Sequence, residues 1–149
     1  MKRVNVLMVI IICIFFSCGK TEADFRDKWE GEYVGDISYS FFSYKKTSFD
    51  TVYPDQHVYV IKCFDSNCII LRGLQMTVST RVLEDGSFNY YLMGLKGDGR
   101  LYDSSIYWHY EFQSPGFKTN HYVHARKVSN DVSDSIRREI ISEYYKQYE

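Results

Sequence analysis

From Trp29 to Phe41 this chain alternates with a period of two. Trp29, Gly31, Tyr33, Gly35, Ile37, Tyr39 and Phe41 fall on one face; Glu30, Glu32, Val34, Asp36, Ser38 and Ser40 fall on the other. Successive side chains of an extended strand point to opposite faces, so this pattern predicts one long half-buried strand. A strand of that length has to curve around a core. Its two inward glycines mark bends or close backbone approach.

Shorter runs of the same kind follow. Residues 56–64 set Val58, Val60 and Phe64 against Tyr59, Ile61 and Cys63. Residues 68–71 and 76–83 are β-branched or apolar, and Arg72-Gly73 reads as a bulge between them. Glu84-Asp85-Gly86-Ser87 is a hairpin signal, because Asp-Gly supplies the positive φ that tight turns need. Residues 88–93 return, and Gly97-Asp98-Gly99 reads as the next turn. Ile106, Trp108, Tyr110 and Phe112 share a face, Ser114-Pro115-Gly116 breaks the run, and residues 120–128 form the last strand. Seven or eight strands joined by short turns predict an all-β antiparallel meander over residues 29–128. A small up-and-down barrel is the expected form and a two-sheet sandwich the alternative.

With Asn130 or Asp131 as N-cap, Val132, Ile136, Ile140, Tyr144 and Tyr148 then recur every four residues. This is a C-terminal amphipathic helix within residues 130–149, expected to pack its stripe on the sheet or over a barrel mouth. Fourteen Tyr, ten Phe and two Trp exclude a disordered chain, and nine Gly with two Pro exclude a collagen-like one. A net charge of −1 without a basic cluster leaves no footprint for nucleic acid.

The first residues have a different character. Lys2-Arg3 precedes a run, residues 4–16, that is apolar except for Asn5 and too short to cross a bilayer. It reads as a signal-peptide core, with an uncleaved anchor as the alternative. The following Phe15-Phe16-Ser17-Cys18 resembles a bacterial lipoprotein lipobox of the relaxed, Bacteroidota-like kind, with aromatic residues where Leu and a small residue are usual. That resemblance implies cleavage after residue 17, lipid (diacylglyceryl and an amide-linked chain such as palmitate) on Cys18, and a membrane-anchored protein of the cell envelope, periplasmic or surface-exposed. Residues 18–28 are then the lipidated cysteine and a polar tether. Losing Lys2 and Arg3 leaves sixteen basic against nineteen acidic residues, a net charge of −3, so lipid and not charge is the expected membrane contact. The Trp29-x-Gly31-x-Tyr33-x-Gly35 strand faintly resembles the opening strand of lipocalin-like barrels, but without their Gly-x-Trp order it implies no ligand.

Candidate sites are few. Cys63 and Cys68 flank four loop residues and are either a disulfide, permitted outside the cytoplasm, or two unlinked core residues. Trp29, Tyr33, Trp108 and Tyr110 are expected inside the barrel, either filling it or lining a pocket for an apolar or carbohydrate ligand. Outward Tyr59, Tyr91, Tyr102 and Tyr107 offer stacking surfaces for a protein or glycan partner. His121 and His124 point to opposite faces of one strand and His109 faces outward, so no metal site and no cofactor is expected. No nucleophile elbow, zinc-protease helix or phosphate loop is present, and the expected role is non-catalytic binding.

Overall fold

The computed structural model describes residues 24–74 and 76–146. Eight antiparallel strands follow one another: β1 (Gly31–Ser43), β2 (Ser48–Lys62), β3 (Cys68–Gly73), β4 (Met76–Arg81), β5 (Ser87–Leu92), β6 (Leu95–Tyr102), β7 (Ser105–Ser114) and β8 (Phe117–Ser129). They form one sheet in the order β4-β3-β2-β1-β8-β7-β6-β5. The long β1 and β8 pair in its middle, and the end strands β4 and β5 curl toward each other. A bridge between Val82 and Phe88 joins these two ends at their closed-end tips, and Thr80 Oγ1 donates to Asn89 O at 2.9 Å. The sheet is thus a nearly closed up-and-down barrel, with a seam between β4 and β5.

Three local expectations change. β2 starts at Ser48, well before residue 56, because Pro54 and Asp55 lie in a bulge within the strand. Gly35 pairs with Gln56 and Ile37 with Tyr53, and Asp55 takes φ 55°. Proline lacks a ladder donor, so a bulge is where a strand tolerates it. Arg72-Gly73 is no bulge but the end of β3, whose Gly73 pairs with Met76 of β4. Gly97-Asp98-Gly99 is no turn but the middle of β6. The glycines there make room for rings: Phe88 pairs with Gly99 and Tyr90 with Gly97. A Cβ on Gly97 would meet the Tyr90 ring at 2.3 Å, and one on Gly99 the Phe88 ring at 2.4 Å. The reversal lies instead at Met93-Gly94, with φ 45° and 84°. Two successive positive φ values are the type I′ hairpin pattern.

The segment before β1 is more than a tether. Residues 25–29 form a turn docked on one end of the barrel, with Trp29 in the core and Phe25 packed edge-on against it. Arg26 is buried in this turn. Its Nε and Nη2 bond the Asp24 carboxylate (2.9 and 2.6 Å), and its Nη1 donates to the carbonyls of Asp65 and Cys68 (2.5 and 2.6 Å). A planar guanidinium can serve a carboxylate and carbonyls at once, so one side chain ties the entering chain to the β2–β3 loop. The neighbouring guanidinium holds the Asp24 carboxyl down at about 2.

The helix α1 (Asp134–Lys146) starts later than expected, with Ser133 as its N-cap. Ser133 Oγ accepts from Ile136 N at 3.4 Å, and Ser133 O accepts from Arg137 N at 2.9 Å. Val132, Ile136, Ile140 and Tyr144 pack on Ile61 and Ile70, on the outside of β2 and β3. The helix therefore covers the side wall of the barrel, not its mouth. Covered on both faces, β3 reads Ile69-Ile70-Leu71 without alternation. Tyr148 and residues 1–23, with Cys18, lie outside the described residues.

Candidate functional site: an aromatic cup at the open end

Strand direction divides the interior of the barrel into two halves. The half nearer the start of β1 is solid. Trp29, Tyr33, Val58, Leu101, Ile106 and Trp108 are buried there in one cluster. Tyr33 Oη donates to Trp29 O at 2.7 Å, and Trp108 Nε1 donates to Tyr90 Oη at 3.0 Å, so these rings bury their polar tips satisfied. Of the four aromatic residues expected inside the barrel, filling it or lining a pocket, Trp29, Tyr33 and Trp108 fill it as core. The reason is local: Trp29 plugs the closed end, and Gly97 and Gly99 let Tyr90 and Phe88 fill the adjacent space. Only Tyr110 reaches a cavity.

That cavity is the other half of the interior, a cup of about 780 Å³ open to solvent. Its floor is Tyr110, Thr119 and His121, its wall includes Tyr39, Leu95 and Phe117, and Phe49, Tyr53, Leu92 and Met93 stand at the rim. Leu74 and Met76 face Leu92 and Leu95 across the seam, so the mouth extends along it. Inward positions of β1, β2, β7 and β8 carry aromatic rings toward this end, and these touch in sequence from floor to rim. Ring centroids lie 4.9 Å apart for Trp108–Tyr110, 4.2 Å for Tyr110–His121 and 4.7 Å for His121–Tyr39. The series continues with Tyr39–Phe49 at 5.6 Å, Phe49–Phe41 at 5.2 Å and Phe41–Phe117 at 5.7 Å. Such spacings are those of mutually attractive rings, which stiffens the wall.

The cup carries no fixed charge: among the described residues no Asp, Glu, Lys or Arg lines it. Burial, with a smaller contribution from His109, pulls the His121 imidazole down to about 4, so it is neutral at pH 7. Burial also pushes the Tyr110 phenol well above its usual range. Tyr110 is 3% exposed, and neither Tyr110 Oη nor His121 Nδ1 has a hydrogen-bond partner among the described residues. Trp29 Nε1, His109 Nε2 and Asn120 Oδ1 are also unpartnered there, but none of these three residues lines the cup.

The rim has its own anomaly. Met93 is 92% exposed and holds a left-handed φ of 45° at the hairpin tip. Asn, Asp or Gly is the usual occupant of such a position.

Other expected sites fall elsewhere. Cys63 and Cys68 form a disulfide with Cα atoms 5.2 Å apart, at the closed end beside Arg26. His57 contacts Glu32 at 2.5 Å, and His109 lies 3.2 Å from Asp98 and stacks on Tyr122. His121 lies inside the barrel, whereas the exposed His124 lies on the opposite face of β8. No group of three His, Cys, Asp or Glu could hold a metal among the described residues. The outward tyrosines do not share a patch. Tyr59 packs beneath α1, Tyr91 lies near the mouth, and Tyr102 and Tyr107 lie near the closed end.

Neither a protein-family model nor a curated protein matches this chain. Among solved structures it is similar to a Bacteroides ovatus protein of unknown function, with a TM-score of 0.53 and 17% identity. The match covers 70% of this chain and 43% of that one, so this chain spans less than half of its neighbour's length. Likeness at this identity concerns the fold alone. Fold and site together define a small up-and-down barrel, sealed at one end and aromatic at the other.

Proposed function

We propose that this protein is a lipid-anchored lipoprotein of the cell envelope whose barrel binds a small apolar ligand in the aromatic cup, without catalysis. The carrying observation is the cup itself. Its volume of about 780 Å³ falls within the range of small-molecule sites, which are concave, largely apolar and furnished with a few polar groups. The lipid anchor rests on the Phe15-Phe16-Ser17-Cys18 order, and the non-catalytic reading on the neutral lining.

Diphenylhexatriene, a fluorescent hydrocarbon that brightens in apolar surroundings, tests the cup. The expected result is saturable one-to-one enhancement, lost in Phe49→Asp, which places a charge at the half-exposed rim without disturbing the core. No enhancement, or enhancement untouched by Phe49→Asp, refutes the site. Cys18→Ser tests the anchor: an unlipidated full-length precursor is expected, and continued maturation with uptake of labelled palmitate rules the anchor out.

A second reading is favoured by the rim. Phe49 and Met93 stand exposed at the mouth, and exposed apolar groups mark protein docking surfaces as well as ligand grooves.

A further inference from the structure

The closed end of the barrel carries apolar groups that the core does not use. Three strand-to-strand turns lie there, residues 63–67, 83–86 and 102–105, and each presents one large exposed side chain. These are Phe64, at 91% exposure, Leu83 and Tyr102. A lone exposed apolar residue is ordinary on a protein surface, but here every such turn of one end has one. Each is followed in sequence by an exposed acid, Asp65, Glu84 or Asp103, and none of the three turns contains a lysine or arginine. The chain also enters at this end, where Arg26 holds Asp24 beside the β2–β3 turn. The stretch between Cys18 and Asp24 is short, so a lipid on Cys18 keeps the three turns within roughly 20 Å of its bilayer.

We propose that the closed end rests on the bilayer itself. Phe64, Leu83 and Tyr102 enter the interface of a zwitterionic phospholipid, and Asp65, Glu84 and Asp103 meet the outermost ammonium groups of its headgroups. This rests on the lipid-anchor reading above and goes beyond it, because the folded domain touches lipid as well as the acyl chains. Interfacial binding grows with the apolar area buried, and a tyrosine suits that depth because its ring is apolar and its hydroxyl stays wet. Three side chains alone hold a protein weakly, but a short tether raises their effective concentration at the surface. An anionic surface is disfavoured, since it attracts basic clusters and these turns offer only acids. The mouth is apolar too, but its exposed Phe49 and Met93 belong to the lining of the cup.

Quenching of tryptophan by dibrominated phosphatidylcholine, which acts only at short range, tests this. The lipid-free chain from residue 18 onward is coupled through the Cys18 thiol to a maleimide lipid in phosphatidylcholine vesicles. Cys63 and Cys68 are bonded to each other and do not compete. Trp29 and Trp108 are buried, so the parent supplies the background. Above it, the emission added by Phe64→Trp is expected to fall at least about twofold, and that added by Met93→Trp at the mouth to stay unchanged. Leu83→Asp combined with Tyr102→Asp, both at exposed positions, should relieve most of the quenching of the Phe64→Trp reporter. Phosphatidylglycerol added to the vesicles should weaken it. No quenching of Phe64→Trp, equal quenching of Met93→Trp, or quenching unmoved by the two aspartates overturns the inference. Stronger quenching on phosphatidylglycerol overturns the choice of headgroup. The coupling is chemical, so these outcomes do not depend on acylation in cells; a failed anchor in the Cys18→Ser test overturns that reading and this inference with it.

Discussion

Tyr110 and His121 are direct partners across β7 and β8, stacked at 4.2 Å; Tyr110 Oη and His121 Nδ1 are buried without a hydrogen-bond partner among the described residues, and burial also keeps His121 neutral. The imidazole pKa falls from 6.5 in the open chain to about 4 in the fold. Between those values the unfolded chain binds the extra proton, so stability rises with pH across this window and is lost as pH falls through it. His121 is partly open to the cup, so solvent screening leaves an effect on the order of 1 kcal/mol. Urea unfolding at pH 7 and pH 4 measures it, and His121→Phe should flatten that component. An unchanged pH slope in the variant would show that His121 is not its source.

Met93 separates structure from binding. Met93→Asn relieves a left-handed backbone that costs an ordinary residue about 1 kcal/mol, so the variant should be more stable by up to that amount. It also removes an apolar side chain from the rim, and diphenylhexatriene should bind several-fold more weakly. A methionine kept only by chance would give the gain in stability with no loss of binding.

The paired glycines of β6 tolerate little. Gly99→Ala drives a Cβ into the Phe88 ring and to 2.5 Å from Tyr107 O, a backbone atom that cannot swing away. Overpacking of this kind costs about 1–3 kcal/mol. Thermal melting should show it, and Phe88→Leu should recover part of the loss by removing the ring. No recovery would place the strain on the backbone contact instead.

Arg26 should matter more than its place before the first strand suggests. Arg26→Ala leaves the Asp24 carboxylate without its partner and the Asp65 and Cys68 carbonyls without their donor; loss of such a network costs about 3 kcal/mol or more. Arg26→Lys should restore little, since an ammonium cannot reproduce the planar fork. Denaturant midpoints of the two variants check this; a full rescue by lysine would mean that charge alone matters.

The period-two runs made the meander and the inward face of β1 legible, because one face of each strand meets the core. What they could not show was where the interior stops being full. Tyr33 and Tyr39 occupy equivalent parity on β1, yet one is sealed in the core and the other lines the cup. The difference comes from residues distant in sequence, Trp29 below and the Phe88–Gly99 and Tyr90–Gly97 pairs across the barrel. Glycines in β6 look like a turn to any local reading, since the rings that need them lie on another strand. Arg26 is illegible for the same reason, since only folding brings the Asp65 and Cys68 carbonyls to it, whereas Ser133 is a local cap on Ile136 that competes in the sequence with Asn130 and Asp131. Part of the cup's lining is readable in Phe49 and Phe117, but Phe49 joins a strand only when Pro54 is recognised as lying in a bulge within it.

Trp29 seals the end of the barrel at which the chain enters, and under the proposed lipid anchor this end would face the bilayer. From Cys18 to Asp24 the backbone can reach at most roughly 20 Å. A lipid on Cys18 would then hold the protein by its base, like a cup on a short stem, with the aperture turned toward water. Cargo would arrive from the aqueous side, and bilayer and aperture would never compete for the same apolar surface.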